Sequence, residues 1–161
     1  MRGKLACMSE VMPNKNALIE VAKRLRQNNI QFALGGSGLM SFFGCRTEVH
    51  DWDLTTDAPS DKTEAALAGL TYIRIEPSGI FATKYLFKIT LMNTHIDLMG
   101  GFAIKTNGGV FQVPTIVTAN WDGIPVGSPE VWLKVYEILG RIEKANTLRN
   151  ALNNSARIDP S

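Results

Sequence analysis

Two aspartates one residue apart, Asp51 and Asp53 in His50-Asp51-Trp52-Asp53-Leu54, carry the clearest chemical signal in the chain. Alternate side chains of a β-strand share a face, so these carboxylates would project together from Cα atoms about 6.6 Å apart. Such a pair can share hard divalent cations, and magnesium favours carboxylates completed by water and phosphate over an all-protein cage. An isolated Asp-x-Asp is more often a solvated strand face. Trp52 between the acids argues instead for a half-buried strand, one face packed and the other acidic, as at the floor of a cleft.

A third acid, Asp97, interrupts the apolar run His95-Ile96-Asp97-Leu98-Met99. It reads equally as a strand-end cap, but three converging acids repel one another unless a cation sits between them, and metal binding accounts for all three. Upstream, Phe32-Ala33-Leu34-Gly35-Gly36-Ser37-Gly38 reads as a strand, a glycine turn and a helix start. Unpaired N–H groups at a helix start attract phosphate, and Gly35, Gly36 and Ser37 would let it come close; alone, the same residues make an ordinary turn. His50 should point away from the acids by alternation, to pack or to support them, whereas His95 shares the face of Asp97. On the last helix Lys134, Arg141 and Lys144, at spacings of seven and three, could reach a triphosphate. As a solvated face they would instead pair Glu130 with Lys134 and Glu137 with Arg141.

The elements that must position these groups follow from periodicity. Leu18, Val21, Ala22 and Leu25 recur at helical spacing and predict a helix over Lys15 to Gln27, capped by Asn14 and ended by Asn28-Asn29. A buried strand over Ile30 to Leu34 leads into a helix over about Gly38 to Phe43. Glu48 to Thr56 alternates as a strand, Asp57-Ala58-Pro59-Ser60 breaks it, and a helix follows over Asp61 to Leu70. Strands are expected at Thr71 to Ile75, Tyr85 to Leu91 and Thr94 to Met99, the last two joined by the turn Met92-Asn93. Between 102 and 127 short strands should turn at Asn107-Gly108-Gly109 and Trp121-Asp122-Gly123. From Ser128-Pro129-Glu130 one long helix is expected, its stripe Val131, Val135, Ile138, Ile142, Ala145, Leu148 and Leu152 facing inward.

A chain of 161 residues, 45% hydrophobic and 20% charged, reads as one globular domain over 1–161, with 1–13 and 154–161 as flexible ends. No apolar run approaches the ~20 residues of a membrane span, and Met1 to Cys7 lacks the apolar region of a secretion signal, so a cytoplasmic location without membrane association is expected. Cys7 and Cys45 show neither a C-x-x-C spacing nor a zinc pattern and are expected as free thiols. A net charge of +2 is too small to imply nucleic-acid binding by itself.

Together, Gly36-Ser37, Asp51 with Asp53, and Asp97 resemble the pattern of the DNA polymerase beta-like nucleotidyltransferase superfamily. The block from Gly35-Gly36-Ser37-Gly38 through Phe43-Gly44-Cys45-Arg46-Thr47 to Asp53 is similar to that of small aminoglycoside and lincosamide nucleotidyltransferases. Asp51-Trp52-Asp53-Leu54 through Thr56-Asp57-Ala58-Pro59 resembles the head of tRNA CCA-adding enzymes. A group of small bacterial nucleotidyltransferase-like proteins is similar over about 14–152, through Glu48-Val49-His50-Asp51, the strand ending Met99-Gly100, and Leu139-Gly140-Arg141 with Glu143-Lys144-Ala145 and Leu148-Arg149. CCA-adding enzymes carry an arginine soon after the double glycine where this chain has Ser37-Gly38-Leu39-Met40, so CCA addition is not expected.

The resemblance implies an α+β (α/β-like) minimal nucleotidyltransferase fold, a mixed β-sheet flanked by helices with a long C-terminal helix. It implies magnesium-dependent transfer, with manganese as the alternative ion, of AMP from ATP to a hydroxyl of an acceptor, with release of pyrophosphate. Asp51 and Asp53 would hold two metals, Asp97 would complete the site and help deprotonate the acceptor, and Gly36 and Ser37 would hold the pyrophosphate. The acceptor is open between small molecule, protein and RNA, and a homodimer is a further expectation. Two other readings stand beside this one: a domain without catalysis that binds nucleotide or a partner, as in a toxin–antitoxin pair, and a nucleotide-sugar glycosyltransferase, which also uses Asp-x-Asp with a metal.

Overall fold

The computed structural model describes residues 12–158. Helix α1 (Lys15–Gln27) buries Leu18, Val21, Ala22 and Leu25, and the Asn14 side chain accepts a hydrogen bond from the Asn16 N–H. Asn28 closes the helix and Asn29, at φ +58°, turns the chain into β1 (Phe32–Gly35), whose four residues are all buried. Helix α2 (Gly36–Phe42) follows without a spacer, starting two residues before the expected position.

Strand β2 (Trp52–Thr56) is shorter than the expected Glu48 to Thr56. Its antiparallel pairing with β1 runs from Phe32 opposite Thr56 to Gly35 opposite Asp53. Beyond that point β1 becomes α2, so residues ahead of Trp52 have no strand partner on that side and a ladder cannot continue. Helix α3 (Ser60–Ala66) also ends early, at Leu67, ahead of Gly69 in the left-handed region at φ +87°. Strands β3 (Thr71–Ile75), β4 (Tyr85–Leu91) and β5 (Thr94–Gly100) match expectation within one residue. Positive φ at Met92 and Asn93 makes the two-residue turn that joins β4 to β5.

Strands β6 (Ala103–Thr106) and β7 (Gly109–Gln112) form a separate two-stranded sheet. Strands β8 (Ala119–Trp121) and β9 (Ile124–Val126) turn at Asp122-Gly123 and join the main sheet, whose order is β3-β4-β5-β2-β1-β9-β8. That sheet is mixed: β2 runs parallel to β5 and β1 to β9, and the other neighbours are antiparallel.

The single long terminal helix of the sequence reading is two helices, α4 (Pro129–Ile138) and α5 (Ile142–Ile158). Ser128 caps α4 as expected, accepting from the Val131 N–H, and Leu139 closes it. Gly140 takes φ +73°, a left-handed turn that lets the chain reverse into α5. Both halves kept the apolar spacing, which is why periodicity ran through the break. Helix α5 continues to Ile158, so the tail expected from 154 onward is helical that far; Cys7 and most of the expected flexible segment 1–13 lie outside the described residues. Cys45 is a buried free thiol, as expected.

One face of the sheet is the core. Leu34, Leu54, Leu98 and Phe87 stand in one row across four strands and Trp52, Ile96 and Ile89 in the next, packed into one cluster with Leu18, Val21 and Leu25. Trp52 is fully enclosed and its indole N–H donates to the Asn14 carbonyl at 3.1 Å. The opposite face carries Asp53, Asp97 and Lys88. Among the described residues no helix is long and apolar enough to cross a membrane.

Candidate functional site

Strand pairing brings two of the three acids together, Asp53 and Asp97. Asp53 of β2 stands beside Asp97 of β5 in parallel register, and Asp97 stands opposite Lys88 of β4. Because neighbouring strands lie only about 4.8 Å apart, the three charges form a row across the middle of the sheet. Lys88 Nζ donates to Asp97 Oδ1 at 2.8 Å, so Asp97 is a paired acid within a strand and not an end cap. Asp51 lies one residue ahead of β2 and is half-buried.

The Asp53 carboxyl is pushed up to about 7, first by burial and then by the negative charges of Asp97 and Asp51, with Lys144 and Lys88 opposing. Asp53 therefore lies within electrostatic reach of both other acids. Gly36 is the reason Asp53 fits: at φ +59°, a Cβ there would overlap Asp53 Oδ2. Its lack of a side chain makes room for the carboxylate itself, a different need from the phosphate approach expected of it. Gly35 faces elsewhere, beneath the Trp132 indole, whose ring a Cβ at 35 would overlap.

A cleft of about 290 Å³ opens over this row. Gly36, Ser37, Asp53 and Asp97 lie along its floor, Trp132, Tyr136, Arg141 and Lys144 come from the α4–α5 corner, and Phe81, Met99 and Phe102 close its far end. After the left-handed turn at Gly140, Lys144 lines the cleft half-buried and Arg141 lines it from an exposed position, whereas Lys134, on the exposed side of α4, does not line it. The break between the two helices is what undoes the predicted side-by-side placement of the three cations. The expected Glu137–Arg141 pair is absent too: Glu137 binds Arg149 at 2.6 Å, which leaves Arg141 at the cleft. Lys144 holds its proton less firmly than a free lysine, chiefly through burial and then through Arg141, and sits 5.5 Å from the centre of the Tyr136 ring.

His50 neither packs nor supports the acids. Its side chain is exposed and pairs with Glu48 at 3.0 Å. His95 shares the face of Asp97, as expected, but is exposed and hydrogen bonds Thr90 at 3.2 Å.

Lys88, Trp132 and Tyr136 are among the residues around the acids that the sequence reading did not single out. Lys88 was within reach, since it stands four residues before Met92 as Asp97 stands four after Asn93, so a two-residue turn must pair them. Trp132 and Tyr136 lie outside the stripe from Val131 to Leu152 that the spacing sets facing inward. Their rings continue an aromatic run, Phe81 to Phe102 at 6.2 Å, Phe102 to Trp132 at 5.7 Å and Trp132 to Tyr136 at 5.9 Å. The Tyr136 hydroxyl is buried without a hydrogen-bond partner, and burial with the nearby Asp53 charge holds its proton on more firmly than usual.

Among the described residues no group of three or more His, Cys, Asp or Glu side chains is arranged to hold a metal ion. The donors present nevertheless fit a hard cation in kind: carboxylate oxygens from Asp51, Asp53 and Asp97, mutually repelling, with Lys88 on only one oxygen of Asp97. Magnesium takes few protein ligands and completes its shell from phosphate and water. The orphaned Tyr136 hydroxyl and the cleft-lining cations Arg141 and Lys144 offer donors to an anionic ligand.

No family model matches the chain, and no curated protein matches it by sequence. Solved structures do. A Thermotoga maritima protein assigned as a nucleotidyltransferase superposes with TM-score 0.67 at 24% identity, covering 86% of this chain and 92% of that one. ANT(2")-Ia, solved in complex with adenylyl-2"-tobramycin, superposes with TM-score 0.57 at 16% identity, covering 89% of this chain and 90% of its own. The Megavirus polyadenylate synthase matches with TM-score 0.51 at 16% identity over 92% of this chain and 36% of that one. At these identities the likeness is one of fold.

Proposed function

We propose that this chain, whose fold is that of the DNA polymerase beta-like nucleotidyltransferases, transfers a nucleoside monophosphate from a triphosphate, AMP from ATP, to an acceptor hydroxyl. The observation that carries the reading is the register of Asp53 beside Asp97 on the two central parallel strands, under a cleft whose opposite wall holds Arg141 and Lys144. Adenylyl-2"-tobramycin, bound in a chain of the same fold, is a product of the kind this reaction makes.

Asp51, Asp53 and Asp97 would hold magnesium or manganese, which when bound stabilises charge on the attacking and leaving oxygens of an in-line displacement. Arg141, Lys144 and the Ser37 end of α2 take the β and γ phosphates, where opposite charge at close range orients them. The acceptor oxygen bonds to the α-phosphorus, the bond from that phosphorus to the pyrophosphate oxygen breaks, and the Asp97 carboxylate helps take up the hydroxyl proton. Trp132 and Phe102 shield the floor from water, which would otherwise compete with the acceptor.

A second reading has one observation in its favour: with Lys88 on Asp97, the third acid is already neutralised, as suits a domain that binds nucleotide without transferring it. The two separate on one experiment. Incubation with α-labelled ATP, MgCl₂ and a metabolite, protein and RNA extract should label an acceptor with the wild type and not with Asp97→Asn. ATP binding without transfer in either protein would favour the binding domain, and absence of ATP binding would sink both.

A further inference from the structure

On the nucleotidyl-transfer reading, we infer that the acceptor is a small hydroxyl compound with a flat, apolar, uncharged body, held in a groove beside the acid row. The register defines the place. Two residues along the strands from Asp53, Asp97, Lys88 and Ile73 runs a second row on the same face: Thr55, Met99, Leu86 and Ile75. Two strand residues span about 6.6 Å, roughly the reach from a reacting hydroxyl to the body of the molecule that bears it. The row is acidic and basic at the first step and apolar at the second.

A groove of about 240 Å³ lies over that apolar row, walled by Ile75, Pro77, Phe81, Leu86, Met99 and Phe102. Phe81, Met99 and Phe102 line the catalytic cleft as well, so the groove and the cleft adjoin at these three side chains. Phe81 and Phe102 lie nearly parallel, at 27°, and present an aromatic wall. Phe81 remains 37% exposed and nearby Ile80 49% exposed, apolar surface kept open at the rim.

Direction of attack assigns the groove to the acceptor. In-line displacement brings the attacking oxygen in opposite the leaving pyrophosphate. Ser37 comes just after β1 and the Lys144 charge acts on Asp53 of β2, which puts the pyrophosphate toward those two strands, whereas the groove is lined from β3, β4 and β5. Charge decides the class of acceptor. A polycation such as the aminoglycoside bound by ANT(2")-Ia would need carboxylates along its path, but Glu76 is the one acid among the described residues lining the groove, and Arg74 already pairs with it at 3.3 Å.

The test uses the whole chain labelled with ¹³C at methionine methyls, the Met99 signal being assigned by its loss in Met99→Leu. The probes are 2-(2-naphthyl)ethanol and tobramycin, with ATP binding measured separately by calorimetry. The naphthyl alcohol should shift the Met99 methyl saturably with ATP bound, and Leu86→Lys should weaken it at least tenfold without changing ATP affinity; Phe81→Ala should weaken it as well. Tobramycin should leave that signal in place. The inference is overturned if the alcohol does not bind, if neither variant weakens it, or if tobramycin binds there. Displacement of the alcohol by ATP would assign the groove to the nucleobase and overturn it also. If the alcohol binds but ATP does not, the transfer reading falls, and the acceptor assignment with it. If ATP binds and the alcohol does not, only the groove assignment falls.

Discussion

The backbone of Gly36 and the carboxylate of Asp53 share one small volume: a methyl group on residue 36 would overlap Asp53 Oδ2. The start of α2 and the acid strand β2 are thereby locked together, and the glycine turn sets the position of the acid as much as that of any phosphate.

Gly36→Ala should therefore cost more than a turn glycine normally does. The left-handed φ of +59° alone disfavours alanine by about 1 kcal/mol, and displacing Asp53 adds to it. A fall of several degrees in Tm and loss of most transfer activity are expected. Gly44→Ala, also at positive φ but with open space around it, should lower Tm less and leave activity near wild type.

Without metal, stability should fall as pH rises from about 4 to about 7. Folded Asp53 keeps its proton to about 7, while the unfolded chain releases it near its ordinary 3.8, so in that window the native state binds more protons and rising pH favours unfolding. The effect is at most about 4 kcal/mol, and solvent reaching the cleft reduces it. Urea midpoints across this range should slope downward in the wild type and flatten in Asp53→Asn. Adding MgCl₂ at pH 8 should recover part of the loss only in the wild type.

Lys88→Met should separate stability from metal affinity. Loss of the 2.8 Å ion pair leaves Asp97 unopposed beside Asp53, so the metal-free protein should melt several degrees lower. The freed carboxylate should bind Mg²⁺ or Mn²⁺ several-fold more tightly by calorimetry. Unchanged affinity would mean that Asp97 contributes no ligand.

The three cations of the last two helices should behave differently. Lys144→Ala and Arg141→Ala should each weaken ATP by about tenfold, the value of one charge-assisted hydrogen bond of roughly 1.4 kcal/mol. Lys134→Ala, outside the cleft, should bind ATP as the wild type does. An equal loss in all three would point to a general surface field, and salt would then abolish it.

Local patterns announced most of the elements. Helix α1 and strand β4 lie where spacing and turn residues place them, because each is stabilised by a face whose period is written in consecutive residues. The acids Asp51, Asp53 and Asp97 could be named as a group because acids inside apolar strands are costly without a purpose. The pairing of Lys88 with Asp97 was legible as well, since a two-residue turn permits one register.

The rest depended on distance in space. Nothing local places β2 parallel to β5, so the sequence alone could nominate Asp53 and Asp97 but not set them side by side. The break at Gly140 was hidden by an apolar stripe that continued across it, and that break decides which cations reach the cleft. Trp132 over Gly35, the orphaned Tyr136 hydroxyl and the apolar row beside the acids arise from contacts between segments far apart in the chain. The amino-acid order determined which chemistry was available, through side-chain type and local period; tertiary packing decided which groups meet, because pairing between distant strands and the turn between two helices is set by the burial of the whole core.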